Sequence, residues 1–282
     1  MPIWLLFFAL LGPLTPQLPE TGAARQPVLV YELVPAPTLP VIKARAAILI
    51  DLDSSETIFE RNSHLRSAPA SLTKVMTALV ALDLMSLDQV VTVPPAINQI
   101  PWDSTRMGLR PGERLSVREL MAGLFLNSGN DAAVTLAQAA IPTSAFVASM
   151  NARAAGLGMA ESHFVNPIGL DDPGHVSSAA DLARAASELA RRFPAVAAMA
   201  AVPAMTLPAT ATHHAYSLYN LNQLIRTYPG ATGLKTGWTG HAGGCLIATA
   251  TRGGRHLLLV VLGSPRIFDE AAALLDYGFA MP

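Results

Sequence analysis

The chain has 282 residues, 51% of them hydrophobic, with a formal net charge of −1 and one cysteine, Cys245. That length can bury one large core or two modest ones. The near-zero charge supplies no electrostatic footprint for nucleic acid or an anionic membrane surface, and a lone cysteine excludes an intrachain disulfide.

The N-terminus opens with an apolar run, Ile3 to Leu11 (IWLLFFALL). A bilayer span takes roughly 20 apolar residues, so this run is too short for one. It suits the core of a secretory signal covering residues 1–24, with the small residues Thr21–Ala24 as a cleavage region, although no basic residue precedes it. Residues 25–42 are proline-rich and read as an extended linker, which places the folded domain at 43–282. Ala46–Asp53 predicts a strand, and Glu56–Asn62 its hairpin partner across Ser54-Ser55. A long buried helix is expected from about Ser71 to Met85. Further helices are expected over Val117–Leu126, Asp131–Ala140, Thr143–Gly158 and Ser177–Arg192, the last capped by Ser177 or Ser178. Gly244–Arg252 and Arg255–Ser264 predict two strands joined at Gly253-Gly254, and Asp269–Phe279 a final helix. Strands at both ends around a helical middle predict an α+β architecture: an antiparallel sheet flanked by helices, a mostly helical subdomain beside it, and a crevice between the two.

The chemistry sits at the start of the first long helix. Only Lys43, Lys74 and Lys235 are lysines among 19 basic residues. In PASLTKVMTA, Ser71 and Lys74 are three apart and share a helix face. A serine hydroxyl needs a base, and an amine serves only when neutral. Apolar surroundings can shift a lysine that far, whereas an arginine stays protonated. Taken alone, S-x-x-K more often marks a solvent-facing first turn. Two further stretches change the weighing. Ser128 and Asn130 in LNSGNDAA offer a hydroxyl and an amide on a short loop. Lys235, Thr236 and Gly237 in TGLKTGWTG lie just ahead of the strand GCLIATATR and offer a cation and a hydroxyl for a carboxylate. A second S-x-N, at Ser149 and Asn151, falls inside an amphipathic helix, where Asn151 is expected to face solvent. S-x-x-K, S-x-N and K-T-G in this order form the motif set of penicillin-recognising serine enzymes. No G-x-S-x-G elbow, H-E-x-x-H metal motif or glycine-rich phosphate loop is present, so neither a metal nor a cofactor is expected.

Together with MNARAAGLGMAESHFVNPIGLDDPGH, YPGATGLKTGWT and VVLGSP, these motifs make the chain resemble the serine-type D-alanyl-D-alanine carboxypeptidases: the low-molecular-mass penicillin-binding proteins of the peptidase S11 family. The resemblance implies a β-lactamase/DD-peptidase-like fold and removal of the terminal D-alanine from peptidoglycan stem peptides ending in D-Ala-D-Ala, with β-lactams as covalent inhibitors. It implies Ser71 as the acylated nucleophile, Lys74 as its base and Ser128 as a proton shuttle. Asn130, Lys235, Thr236, Gly237 and Trp238 would bind substrate, and the backbone N–H groups of Ser71 and Trp238 would form the oxyanion hole. Many relatives add a C-terminal β-rich domain and a membrane helix; this chain, ending at Pro282, is expected to carry neither. An exported, periplasmic or extracytoplasmic location follows from the same reading. Some relatives use an arginine for the carboxylate, and Arg266 is the nearest candidate. A D,D-endopeptidase on cross-linked peptidoglycan is the main alternative. A β-lactamase ranks lower: enzymes of that kind pair the deacylating glutamate with an asparagine four residues on, whereas in ESHFVN Asn166 lies five after Glu161.

Overall fold

The computed structural model describes residues 37–281; the signal reading over 1–24 and the first part of the linker lie outside the described residues. Residues 37–44 carry no helix or strand. The chain then forms β1 (Ala46–Asp51) and β2 (Thr57–Arg61), followed by the helix α1 (Thr73–Leu84). Short strands β3 (Val90–Thr92) and β4 (Arg114–Ser116) lead into α2 (Val117–Leu126), α3 (Asn130–Ala140), α4 (Thr143–Gly156), α5 (Ala179–Arg192) and α6 (Pro194–Met199). After them come β5 (Ala204–Leu207), β6 (Tyr216–Tyr219), α7 (Leu224–Thr227), β7 (Ala231–Thr239), β8 (Gly243–Arg252), β9 (Arg255–Ser264) and α8 (Ile267–Ala280).

The first strand and the last three form one antiparallel sheet with β2, in the order β2-β1-β9-β8-β7. Side chains alternate across a strand, and here both faces are covered. Ala46, Ile48, Leu258, Val260 and Leu262 join one core with the helices Leu72–Ala81 and Leu182–Leu189. Ala47, Leu49, Leu257, Leu259 and Val261 join a second with Leu274 and Leu275 of α8. A strand buried on both sides reads as a continuous apolar run, as Leu257–Leu262 does. The expected α+β architecture is therefore the observed one, with the helices of 73–199 packed on one side of the sheet.

Local signals set several helix starts. Ser116 and Glu119 form a reciprocal capping box on α2, and the Ser178 hydroxyl accepts from the Asp181 N–H at the start of α5. Three readings need correction. Lys235-Thr236-Gly237 does lie ahead of GCLIATATR in β8, but within a strand of its own, β7, at one edge of the sheet, rather than in a connecting segment; glycine, lysine and threonine give no apolar alternation to reveal it. The first turn of the long helix is a 3-10 turn, Ala70–Leu72, before α1 begins. Asn151 does not point to solvent: it donates to Phe164 O and accepts from Phe164 N, both at 2.8 Å, bracing α4 against the following segment.

Candidate active site

Ser71 sits in the tight turn after Pro69, where Ala70 takes a positive φ of 48° and is itself buried. One turn on, Lys74 is completely buried in α1, and its Nζ lies 2.8 Å from Ser71 Oγ and 2.8 Å from Ile168 O. Burial, then the nearby charge of Lys235, holds the Lys74 amine well below its usual pKa range, against an opposing pull from Asp131. A neutral amine has one lone pair and two N–H groups. Its lone pair can face the Ser71 hydroxyl while an N–H donates to Ile168 O.

The second hydroxyl comes from the α2–α3 corner. Ser128 has a positive φ of 54°, a strained conformation for a non-glycine residue. Thr105 Oγ1 donates to Ser128 O at 2.8 Å, and Asn130 N donates to Thr105 O at 2.9 Å. Asp131 fixes the facing wall: its carboxylate accepts from the backbone N–H groups of Met107, Gly108 and Leu109 at 2.8–2.9 Å. Asn130 is 4% exposed, and its Oδ1 has no hydrogen-bond partner among the described residues, so an amide acceptor is left free beside the cleft it lines.

The sheet contributes the third group. Lys235 Nζ donates to Ser128 Oγ at 2.8 Å and to Thr236 O at 2.7 Å. Burial lowers its pKa from 10.5 to about 7. Gly237 brings β7 against the nucleophile turn: a Cβ there would lie 3.0 Å from Ser71 N and 3.1 Å from Ala70 Cβ. Between β7, the nucleophile turn, the 101–105 loop and the 168–171 segment runs a cleft of about 620 Å³, lined among others by Ser71, Ser128, Asn130, Thr236, Gly237 and Trp238. Thr239 Oγ1 donates to Asp171 Oδ1 at 2.7 Å across its rim.

The structure thus brings Ser71, Lys74, Ser128, Asn130, Lys235, Thr236, Gly237 and Trp238 to one cleft. It does not bring Arg266, whose Nε donates to Asp269 Oδ2 at 2.9 Å on the exposed side of α8; its neighbour Ile267 lines the cleft instead. Glu161 is turned to His64 at 3.3 Å and Ser178 at 3.3 Å and is not a cleft-lining residue. Sequence reasoning missed Asp131, Thr105, Ile168 and Asp171. Of these only the segment Asn166–Leu170 carries a local signal: Asn166 Oδ1 gathers the N–H groups of Ile168, Gly169 and Leu170, an Asn-led turn ahead of a glycine.

A family profile described as D-alanyl-D-alanine carboxypeptidase, peptidase S11, matches residues 34–266. D-alanyl-D-alanine carboxypeptidase DacB2 of Mycobacterium tuberculosis is 38% identical over 256 residues, covering 88% of this chain and 85% of the relative. D-alanyl-D-alanine carboxypeptidase DacF of Bacillus subtilis is 35% identical over 84% of this chain, which spans 62% of that longer relative. Among solved structures, the Streptomyces K15 DD-transpeptidase superposes with a TM-score of 0.80 at 30% identity, covering 86% of this chain and all (100%) of its own.

Proposed function

The chain belongs to the peptidase S11 family of D-alanyl-D-alanine carboxypeptidases, and from that premise we propose that it removes the terminal D-alanine from peptidoglycan stem peptides through an acyl-enzyme on Ser71. The observation that carries this reading is the completely buried Lys74 amine 2.8 Å from Ser71 Oγ, in the same cleft as the Lys235–Ser128 pair.

The peptide adds along the open edge of β7 as an extra strand. Its terminal carboxylate meets Lys235 and the Thr236 hydroxyl, and Asn130 Oδ1 receives a peptide N–H. Neutral Lys74 takes the Ser71 proton as Oγ bonds to the carbonyl carbon of the penultimate D-alanine. The tetrahedral oxyanion receives the backbone N–H groups of Ser71 and Trp238. The C–N bond then breaks, and the leaving amine takes its proton from Lys74 by way of Ser128. Water, giving a proton to Lys74, attacks the ester; Oγ leaves, recovers its proton, and the shortened peptide is released. A β-lactam presents the same carboxylate and a strained amide, so its ring opens onto Ser71 and the ester persists. The position of Glu161 supports a carboxypeptidase over a β-lactamase, since no carboxylate from that segment reaches the serine.

Mass spectrometry after a β-lactam pulse tests the reading: one adduct on the peptide carrying Ser71, together with D-alanine release from a pentapeptide, is the expected result. Turnover of the drug without D-alanine release points to a β-lactamase, and cleavage of cross-linked dimers in preference to pentapeptides points to an endopeptidase. The same spectrum reads the mature N-terminus, which the export reading expects near residue 24. Among the described residues no single helix is long and apolar enough to cross a membrane.

A further inference from the structure

Behind the nucleophile turn lies a buried histidine that the steps above do not use. His175 is 1% exposed and packs edge-on against Phe164, with ring centroids 5.6 Å apart. Its Nδ1 accepts from the backbone N–H of Val165 at 3.1 Å. A backbone N–H can only donate, so Nδ1 carries no proton and the neutral ring holds its proton on Nε2. Nε2 lies 2.8 Å from Thr73 Oγ1, and the Thr73 hydroxyl, having accepted from Nε2, donates to Ala70 O at 2.8 Å. Ala70 is the residue with the positive φ immediately before Ser71. Gly169 packs against the same carbonyl and hydroxyl: a Cβ there would lie 2.0 Å from Ala70 O and 2.9 Å from Thr73 Oγ1.

We infer that His175 is a positioning residue for the nucleophile: through Thr73 it holds the Ala70 peptide, and so the direction of Ser71 Oγ and of the Ser71 N–H. The chain of bonds is directional, from Val165 N–H to Nδ1, from Nε2–H to Thr73 Oγ1 and from Thr73 O–H to Ala70 O, and only a neutral ring fits it. Burial keeps the ring neutral, with its pKa lowered from 6.5 to about 4. Neighbouring bonds tie the same two segments, since Thr77 Oγ1 donates to Pro167 O at 2.6 Å and Lys74 Nζ to Ile168 O at 2.8 Å. Fold retention therefore does not depend on His175 alone; the Ala70 carbonyl also accepts from the Thr73 backbone N–H, and its side-chain hold comes through Thr73 from His175.

The inference rests on Ser71 being the acylated residue, and the test separates the two. Penicillin acylation of Ser71 and pentapeptide kcat and KM are measured for the wild type, His175→Asn, His175→Gln, Thr73→Val and the double variant Thr73→Val/His175→Asn. Asn keeps an acceptor for Val165 N–H but falls short of Thr73. Gln extends an N–H donor to the place of Nε2. A misplaced nucleophile costs up to about 100-fold. His175→Asn and Thr73→Val are thus expected to lose about 10- to 100-fold in acylation and kcat with KM little changed. His175→Gln is expected to recover most of that loss, and the double variant to be no worse than the worse single, as links in one chain behave. Rescue by Asn rather than Gln, full acylation by Thr73→Val, or additive losses in the double variant overturns the inference and leaves the acyl-enzyme reading standing. No adduct on wild-type Ser71 overturns both.

Discussion

A protonated amine at the position of Lys74 would have only Ser71 Oγ and Ile168 O to satisfy it, in a helix whose residues Leu72 to Ala81 are all buried. Burial therefore selects the neutral form, and the neutral form is the base. Arginine cannot lose its proton at working pH. Lys74→Arg is expected to be nearly as damaging as Ser71→Ala, lowering Ser71 acylation by at least about 100-fold; a rate within a few-fold of wild type would remove Lys74 from its role. Lys235 carries the opposite demand, since a carboxylate is held best by a charged amine. Its pKa of about 7 predicts that kcat/KM falls as pH rises through that value, and that the alkaline limb of kcat lies higher, because a bound carboxylate restores the proton. The same depression acts on stability. Between about 7 and 10.5 the unfolded chain holds a proton that the folded Lys235 has lost, so the slope of stability with pH is positive there. The cost of burying the charge is fully present below pH 7, on the order of 5 kcal/mol, and is recovered by about pH 10.5. Lys235→Met is expected to abolish activity yet to gain on the wild type in urea unfolding at pH 6, with that gain shrinking by pH 10.

At the level of elements, the cleft is three segments held at fixed distance, and the holding bonds are long-range. Asp131 in the first turn of α3 receives three N–H groups from 107–109. Removing one partner of a buried charged network typically costs 3 kcal/mol or more. Asp131→Ala is expected to destabilise by about that amount, and to raise KM as the 105–109 wall loosens; thermal unfolding and peptide kinetics read both. This is also where the sequence stops being legible. Ser71 and Lys74 could be paired from spacing, because three residues along a helix are neighbours whatever the tertiary fold. The five main apolar segments of α1–α5 and the β8–β9 hairpin could be read because their periodicity spans ten residues or more. β3, β4, β5 and β6 run only three or four residues, too few for a period to register. The partner of Thr73 is 102 residues away at His175, and that of Lys235 is 107 residues away at Ser128. S-x-N and K-T-G told which side chains matter, but the edge position of β7 that makes Lys235 reach Ser128 is a property of sheet order, which no local pattern encodes.

Over the whole described molecule, residues from the sheet and from the helical part are not separate cores. Ala46, Ile48, Leu258 and Val260 of the sheet belong to the same buried cluster as Leu120, Leu136, Phe146 and Met150 of the helices. The site straddles that shared core: Ser71 and Ser128 come from the helical side and Lys235 from the sheet. A crevice between independently stable domains would let each half open alone, and chains of this length often unfold in steps. A continuous core removes that option, because neither half can expose its face without breaking the other. Calorimetry and far-ultraviolet circular dichroism are expected to report one coincident transition with equal calorimetric and van't Hoff enthalpies. Acylation by a β-lactam, whose acyl group makes its cleft contacts only in the folded state, is expected to shift that single midpoint without splitting it. Two resolved transitions, with the sheet outlasting the helices, would mean that the cleft is a hinge and that Lys74 and Lys235 are held in register by substrate rather than by the fold.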